Sequence, residues 1–139
     1  MSNNIDIFGG NVMNWDTYRR EAKTRGALAL ELFVVLSLPV EGGTSAETVL
    51  ADHLEYQRRL EGEGRLVQAG PLSDESGQLL SGAGLVVYRA NSLEEARELA
   101  EADPMHSSGA RSYSLRRWLW NEGRLTLDVG LSTQSVTVS

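Results

Sequence analysis

The stretch from Leu28 to Leu38 constrains this chain more than any other. It is rich in Leu and Val, is ended by Pro39, and reads as a β-strand. Alternation places Leu30, Leu32, Val34, Leu36 and Leu38 on one face, with Phe33 and Val35 on the other. Both faces are apolar, so the strand must be covered on both sides. A chain of 139 residues, 41% of them hydrophobic, is long enough to supply one such core and too short for two ordinary domains. We therefore expect one α+β domain over 1–139, with a core at about 28–120. Residues 1–27 would form an N-terminal arm and helix, and 121–139 a C-terminal extension.

The remaining elements follow in order. Asp16 to Lys23 has helix-forming composition, with Asp16 as N-cap and Gly26 as stop. Thr44 with Glu47 three residues on is a capping-box pattern that opens a helix running to about Glu61. Its stripe of Ala46, Val49, Leu50, His53, Tyr56 and Leu60 turns inward, while Asp52, Glu55, Arg58 and Arg59 form the solvated face. Arg65 to Ala69 is a short strand that Gly70-Pro71 breaks, and Ser73 to Gly82 is a turn-rich connection. Gly84 to Ala90 is a strand, apolar on both parities. A second capping box, Ser92 with Glu95, opens a helix that ends near Asp103 because Pro104 follows. After a loop at Met105–Gly109, Arg111 to Trp120 alternates as a strand. Leu125, Leu127 and Val129 suggest one more edge strand, and the polar tail from Ser132 carries no assignment.

The order from Leu28 is β-α-β-β-α-β, the ferredoxin-like arrangement, with two helices on one face of a four-stranded antiparallel sheet. The opposite face would be bare and apolar, which marks an interface. A second copy packed sheet against sheet is the simplest cover, so a homodimer is expected.

Composition excludes several classes. A formal charge of −6 argues against a nucleic-acid surface, which needs a basic face. Without cysteine there is no disulfide, thiolate nucleophile or Cys-based zinc site. The start of the chain lacks a basic segment followed by an apolar one, so no signal peptide is read. The longest apolar run falls far short of the roughly 20 residues of a membrane span. The expectation is a cytoplasmic protein with no membrane partner.

Several separated motifs add a family likeness. Leu32 to Leu36, His53 followed by Tyr56, the run Gly64-Arg65-Leu66-Val67-Gln68-Ala69-Gly70-Pro71-Leu72, Ser92-Leu93-Glu94-Glu95-Ala96, Asp103-Pro104, Gly109 and Trp118 together resemble the YciI-like (YCII-related) family over roughly Leu30 to Trp118. The resemblance implies a dimeric α/β barrel built on the ferredoxin-like fold, and an active site made of a His-Asp pair. These map onto His53 and Asp103. It also implies elimination chemistry of the lyase or dehydrochlorinase type on small oxygenated rings as one precedent. The chain departs from the family pattern at Met105, where Phe is common, and in its extensions at both ends.

A histidine gives or takes a proton near neutral pH, and a carboxylate on one ring nitrogen fixes the tautomer and frees the other as a base. The competing reading makes His53 a satisfied core histidine and Asp103 a turn residue. Tyr56, one turn from His53, is a candidate to line the pocket. Ser73 and Asp74 are candidates to orient a polar group, though turn chemistry explains them equally well. His106 is either a second acid/base or loop surface. Arg111 is either a carboxylate receptor or an edge charge. No HxH or HExxH spacing supports a metal site, so neither metal nor cofactor is expected. The functional reading is a cofactor-independent enzyme moving protons on a small oxygenated metabolite by elimination or isomerisation. The alternative is a non-catalytic metabolite-binding or accessory dimer.

Overall fold

The computed structural model describes residues 12–139, and the expected arm at the extreme N-terminus lies largely outside them. Among the described residues ten elements follow in order: α1 (Trp15–Thr24), β1 (Leu30–Pro39), α2 (Ala46–Gly62), β2 (Leu66–Ser73), β3 (Leu80–Tyr88), α3 (Leu93–Ala102), α4 (Pro104–Ser107), β4 (Arg111–Trp120), β5 (Leu127–Gly130) and β6 (Ser135–Val138). They group into two compact units. One is Glu31–Trp118; the other joins the described residues up to Leu30 with Leu119–Ser139.

The larger unit is the ferredoxin-like β-α-β-β-α-β fold, with a four-stranded sheet in the order β2-β3-β1-β4. β3 lies antiparallel to both β1 and β2, with Val35 opposite Val86 and Ser37 opposite Gly84. Phe33 and Val35 of β1 and Val86 and Tyr88 of β3 point to the helices. There they close a core with Tyr56 and Leu60 of α2 and Ala96, Leu99 and Ala100 of α3. Small alanines on α3 let the helix come close to the sheet, while Leu60 and Tyr88 supply the bulk.

Local signals explain most of the helix ends. Ser92 caps α3 by accepting from the Glu95 amide at 3.1 Å, and the Glu95 carboxylate reaches back to the Asn91 amide. The expected box at Thr44 does not form. Ser45 is the N-cap of α2, because the Thr44 hydroxyl instead donates to the Ser108 carbonyl at 2.8 Å. Asp16 sits inside α1 and Asn14 caps it. Asp103 ends α3, and Pro104 at once opens a short helix, α4, where a loop was expected. Proline is well suited to a first helical turn, whose amides lack partners in any case.

β2 does not stop at Gly70-Pro71. It continues to Ser73, with Pro71 opposite Gly84 and Ser73 opposite Leu80. β2 is an outer strand of the sheet, where a residue without an N–H is tolerated. The connection to β3 shrinks to the hairpin turn at 74–79.

In the smaller unit, Trp15, Tyr18 and Ala27 pack on a cluster of Ala22, Ala29 and Leu119, and the Leu28 amide donates to the Asn121 carbonyl. β5 is not an added strand of the main sheet. It pairs antiparallel with β6 in a separate two-stranded sheet, Val129 opposite Val136, so the tail left unassigned is a strand. No helix among the described residues is long and apolar enough to cross a membrane.

Replacing the α3 cap, Ser92→Ala, should lower the unfolding free energy by about 1 kcal/mol. Denaturant titration checks this, with the midpoint moving and the slope unchanged.

Candidate functional site

On the helix side of the sheet the chain leaves a cavity of about 200 Å³. Its floor is a patch of missing side chains: Gly84 on β3, flanked by Ser37 of β1 and Pro71 of β2. The wall comes from α2 through Leu50, His53, Leu54 and Gln57. The junction of α3 and α4 contributes Asp103, Met105 and His106, and β4 contributes Arg111.

Asp103 is the best buried polar residue of the unit, with its side chain 1% exposed beside a His53 side chain that is 16% exposed. Its Oδ1 accepts from the Met105 amide at 2.9 Å and lies 2.7 Å from Nδ1 of His53. A carboxylate only accepts, so the His53 proton sits on Nδ1 and Nε2 is left as a potential base. Burying a carboxylate is costly unless it is paired, and here the ring and the amide share that duty. Oδ2 of Asp103 is buried without a hydrogen-bond partner.

A second polar pair lines the same cavity. Nδ1 of His106 is 2.7 Å from the Ala100 carbonyl, which can only accept, so this nitrogen carries the proton. Nε2 of the neutral ring is then an acceptor, and the Ser37 hydroxyl 2.8 Å away donates to it. The ring is steadied by Tyr113, centroid to centroid at 4.7 Å. With both nitrogens of His106 engaged, His53, Asp103 and His106 do not make a metal cage, and no group of three or more metal-ligating residues occurs among the described residues. Arg111 borders the cavity with its Nε buried and without a hydrogen-bond partner.

The structure thus brings His53, Asp103, His106 and Arg111 to one cavity, and it leaves three of the expected residues elsewhere. Tyr56 is buried in the core, where its hydroxyl donates to the Leu99 carbonyl at 2.6 Å. It cannot greet a ligand in the cavity as expected, because the positions of α2 that face it are Leu50, His53, Leu54 and Gln57. Ser73 and Asp74 lie at the hairpin turn away from the cavity lining. Their side chains are spent on the turn, with the Ser73 hydroxyl on the Asp74 carbonyl and the Asp74 carboxylate on the Ser76 amide and hydroxyl. Those bonds from Ser76 hold the Asp74 carboxyl below its usual range. Ser37 was missed. The signal was there, as a small polar residue that continues the inward parity of Phe33 and Val35.

Residues 32–119 match the YCII-related domain, and the chain belongs to that family. It is similar to the uncharacterized protein YjpA of Bacillus subtilis strain 168, 41% identical over 69 residues that span 50% of this chain and 74% of that protein. Among solved structures it is similar to 5-chloro-2-hydroxyhydroquinone dehydrochlorinase, TftG, of Burkholderia phenoliruptrix AC1100, in complex with 2,5-dihydroxybenzoquinone. That match has a TM-score of 0.51 and 21% identity, and covers 63% of this chain and 92% of the other. At that identity it speaks for the shared fold.

The phenols of Tyr56 and Tyr88 are both pushed up, first by burial and then by the negative charge of Asp103. Unfolded tyrosines release their protons near about 10, so stability should fall as pH rises above that point, because only the unfolded chain ionises there. Tyr56→Phe should cost about 1–3 kcal/mol in a denaturant titration at neutral pH, by leaving the Leu99 carbonyl unpaired. It should also make the alkaline loss less steep, and leave the ring-nitrogen NMR signals of His53 in place.

Proposed function

We propose that this protein is a cofactor-independent enzyme that moves protons on a small oxygenated metabolite, by a lyase-type elimination or an isomerisation. The observation that carries the reading is the 2.7 Å bond from His53 Nδ1 to Asp103 at the wall of the cavity. His53 Nε2 takes a proton from carbon or oxygen of the substrate, and Asp103 holds the ring in the right tautomer and supports the imidazolium as it forms. Arg111 receives a negative oxygen of the substrate. The dehydrochlorinase named above acts on a hydroxylated ring, which supports a ring of that class as the first substrate to try.

The test is wash-in of solvent deuterium at the ring carbons of 2,5-dihydroxybenzoquinone, together with chloride release from 5-chloro-2-hydroxyhydroquinone. Wild-type protein should accelerate one of these. His53→Gln should reduce that rate by a factor of roughly 10²–10⁴, with the thermal melt kept. A ligand that binds without exchange or release, in wild type and variant alike, would turn the reading into a metabolite-binding module.

The same protein is proposed to act as a homodimer through the sheet face away from the helices. Half-buried Val34, Leu36 and Leu85 lie there with Leu38 and Trp118, which stay 43% and 42% exposed. Such a patch is costly to leave in water. Sedimentation equilibrium should give twice the mass of one chain, and Leu38→Asp should shift the population toward the monomer. A monomeric wild type would sink this part.

A further inference from the structure

The cavity holds two histidines, and the reading above uses only His53. His106 is as strictly oriented. Its Nδ1–H is fixed on the Ala100 carbonyl, its Nε2 accepts from Ser37, and its ring rests on Tyr113. Ser37 is 4% exposed, and its place on the floor is open because Gly84, its partner on β3, has no side chain. A hydroxyl that donates to a neutral imidazole keeps its own lone pairs for another donor. Into this corner also comes Arg111, with Nε buried and unpaired.

We propose that Ser37 and His106 form a second proton relay, which binds a hydroxyl of the ligand and ionises it. The proposal rests on the reading of this cavity as the ligand site. The ligand O–H donates to Ser37 Oγ. As that proton moves onto Oγ, the Ser37 proton moves to Nε2 of His106, and the electron pair of the broken O–H bond stays on the ligand oxygen. The product is a ligand oxyanion faced by Arg111 and a His106 imidazolium held by the Ala100 carbonyl. The charges balance within the cavity and no co-reactant is consumed. An oxyanion on a ring pushes electrons toward the carbon that loses its leaving group. The relay therefore narrows the ligand class to hydroxylated rings or enols, with the ionising hydroxyl conjugated to the reacting carbon. Ketones and halides without a hydroxyl would be poor ligands. His53 then serves a separate proton on the same molecule.

The probe is para-nitrophenol, whose ionisation is visible in absorbance, with para-nitroanisole as the methylated control. Wild-type protein should bind para-nitrophenol in its coloured, ionised form at a pH where the free probe is largely protonated. In the ring-nitrogen NMR spectrum, Nε2 of His106 should change from an acceptor to an N–H. Para-nitroanisole should cause no such change. Ser37→Ala should weaken binding of the probe by at least about tenfold and abolish the change at His106, and His53→Gln should keep the change at His106. The proposal is overturned if wild type does not bind the probe, or if the probe binds while Nε2 of His106 stays an acceptor. It is equally overturned if the colour survives Ser37→Ala and is lost in His53→Gln. The wild-type spectrum decides the matter even if Ser37→Ala does not fold. Ionisation through His106 in a protein that turns over neither ring substrate would leave the relay standing and remove the enzyme reading.

Discussion

One carboxylate organises the candidate site. Asp103 closes α3, caps α4 through the Met105 amide and accepts from His53 on α2, all with its side chain out of water. In a low-dielectric setting an unmet need of such a group is expensive, so the three helices are held to a narrow range of mutual positions. The same residue also orients the ring that is proposed to do the chemistry. Structural and functional demands therefore fall on a single side chain, and a substitution there changes both together. The backbone of Asp103 adds to this, because its carbonyl accepts from the His106 and Ser107 amides and starts the turn on which His106 is mounted.

The fold was legible because its signals are local and repeated. An apolar strand on both parities, two helices with a Ser92 cap and a Pro104 stop, and the order β-α-β-β-α-β leave few arrangements of a chain this short. What failed were rules applied without knowing the neighbours. Pro71 reads as a break, yet an outer strand tolerates a missing donor. Thr44 reads as a cap, yet the Ser108 carbonyl, far along the chain, takes its hydroxyl. β5 and β6 pair across the four-residue loop 131–134, which lacks the Asn-Gly or Asp-Gly signal of a tight hairpin.

The site was legible in part and for a different reason. His53 and Asp103 are far apart in sequence, and no spacing rule joins them; the family likeness paired them. Helical periodicity put Tyr56 on the inward face correctly but does not say which part of that face meets core and which meets cavity. A shift of one helical turn separates the two: His53 borders the cavity, and Tyr56 lies over Leu99. Ser37 shows the converse. A polar residue at a buried strand position needs a partner, and the chain has only two histidines, so the pairing with His106 had a sequence trace that composition alone does not single out.

The floor of the cavity has an evolutionary corollary. Its depth is set by an absence at Gly84, whereas its polar groups come from β1, α2, the α3–α4 junction and β4. A Cβ at Gly84 would meet the Arg111 guanidinium and the Gly70 carbonyl at 3.5 Å, an ordinary contact, and the backbone there is not in the left-handed region. Size and chemistry are thus written in separate residues. A lineage can resize the compartment by drift at this one position while the polar side chains around it keep their own anchors in the fold. Relatives with the same polar set and different residues at this place would be expected to differ in the bulk their cavity admits rather than in its polar lining.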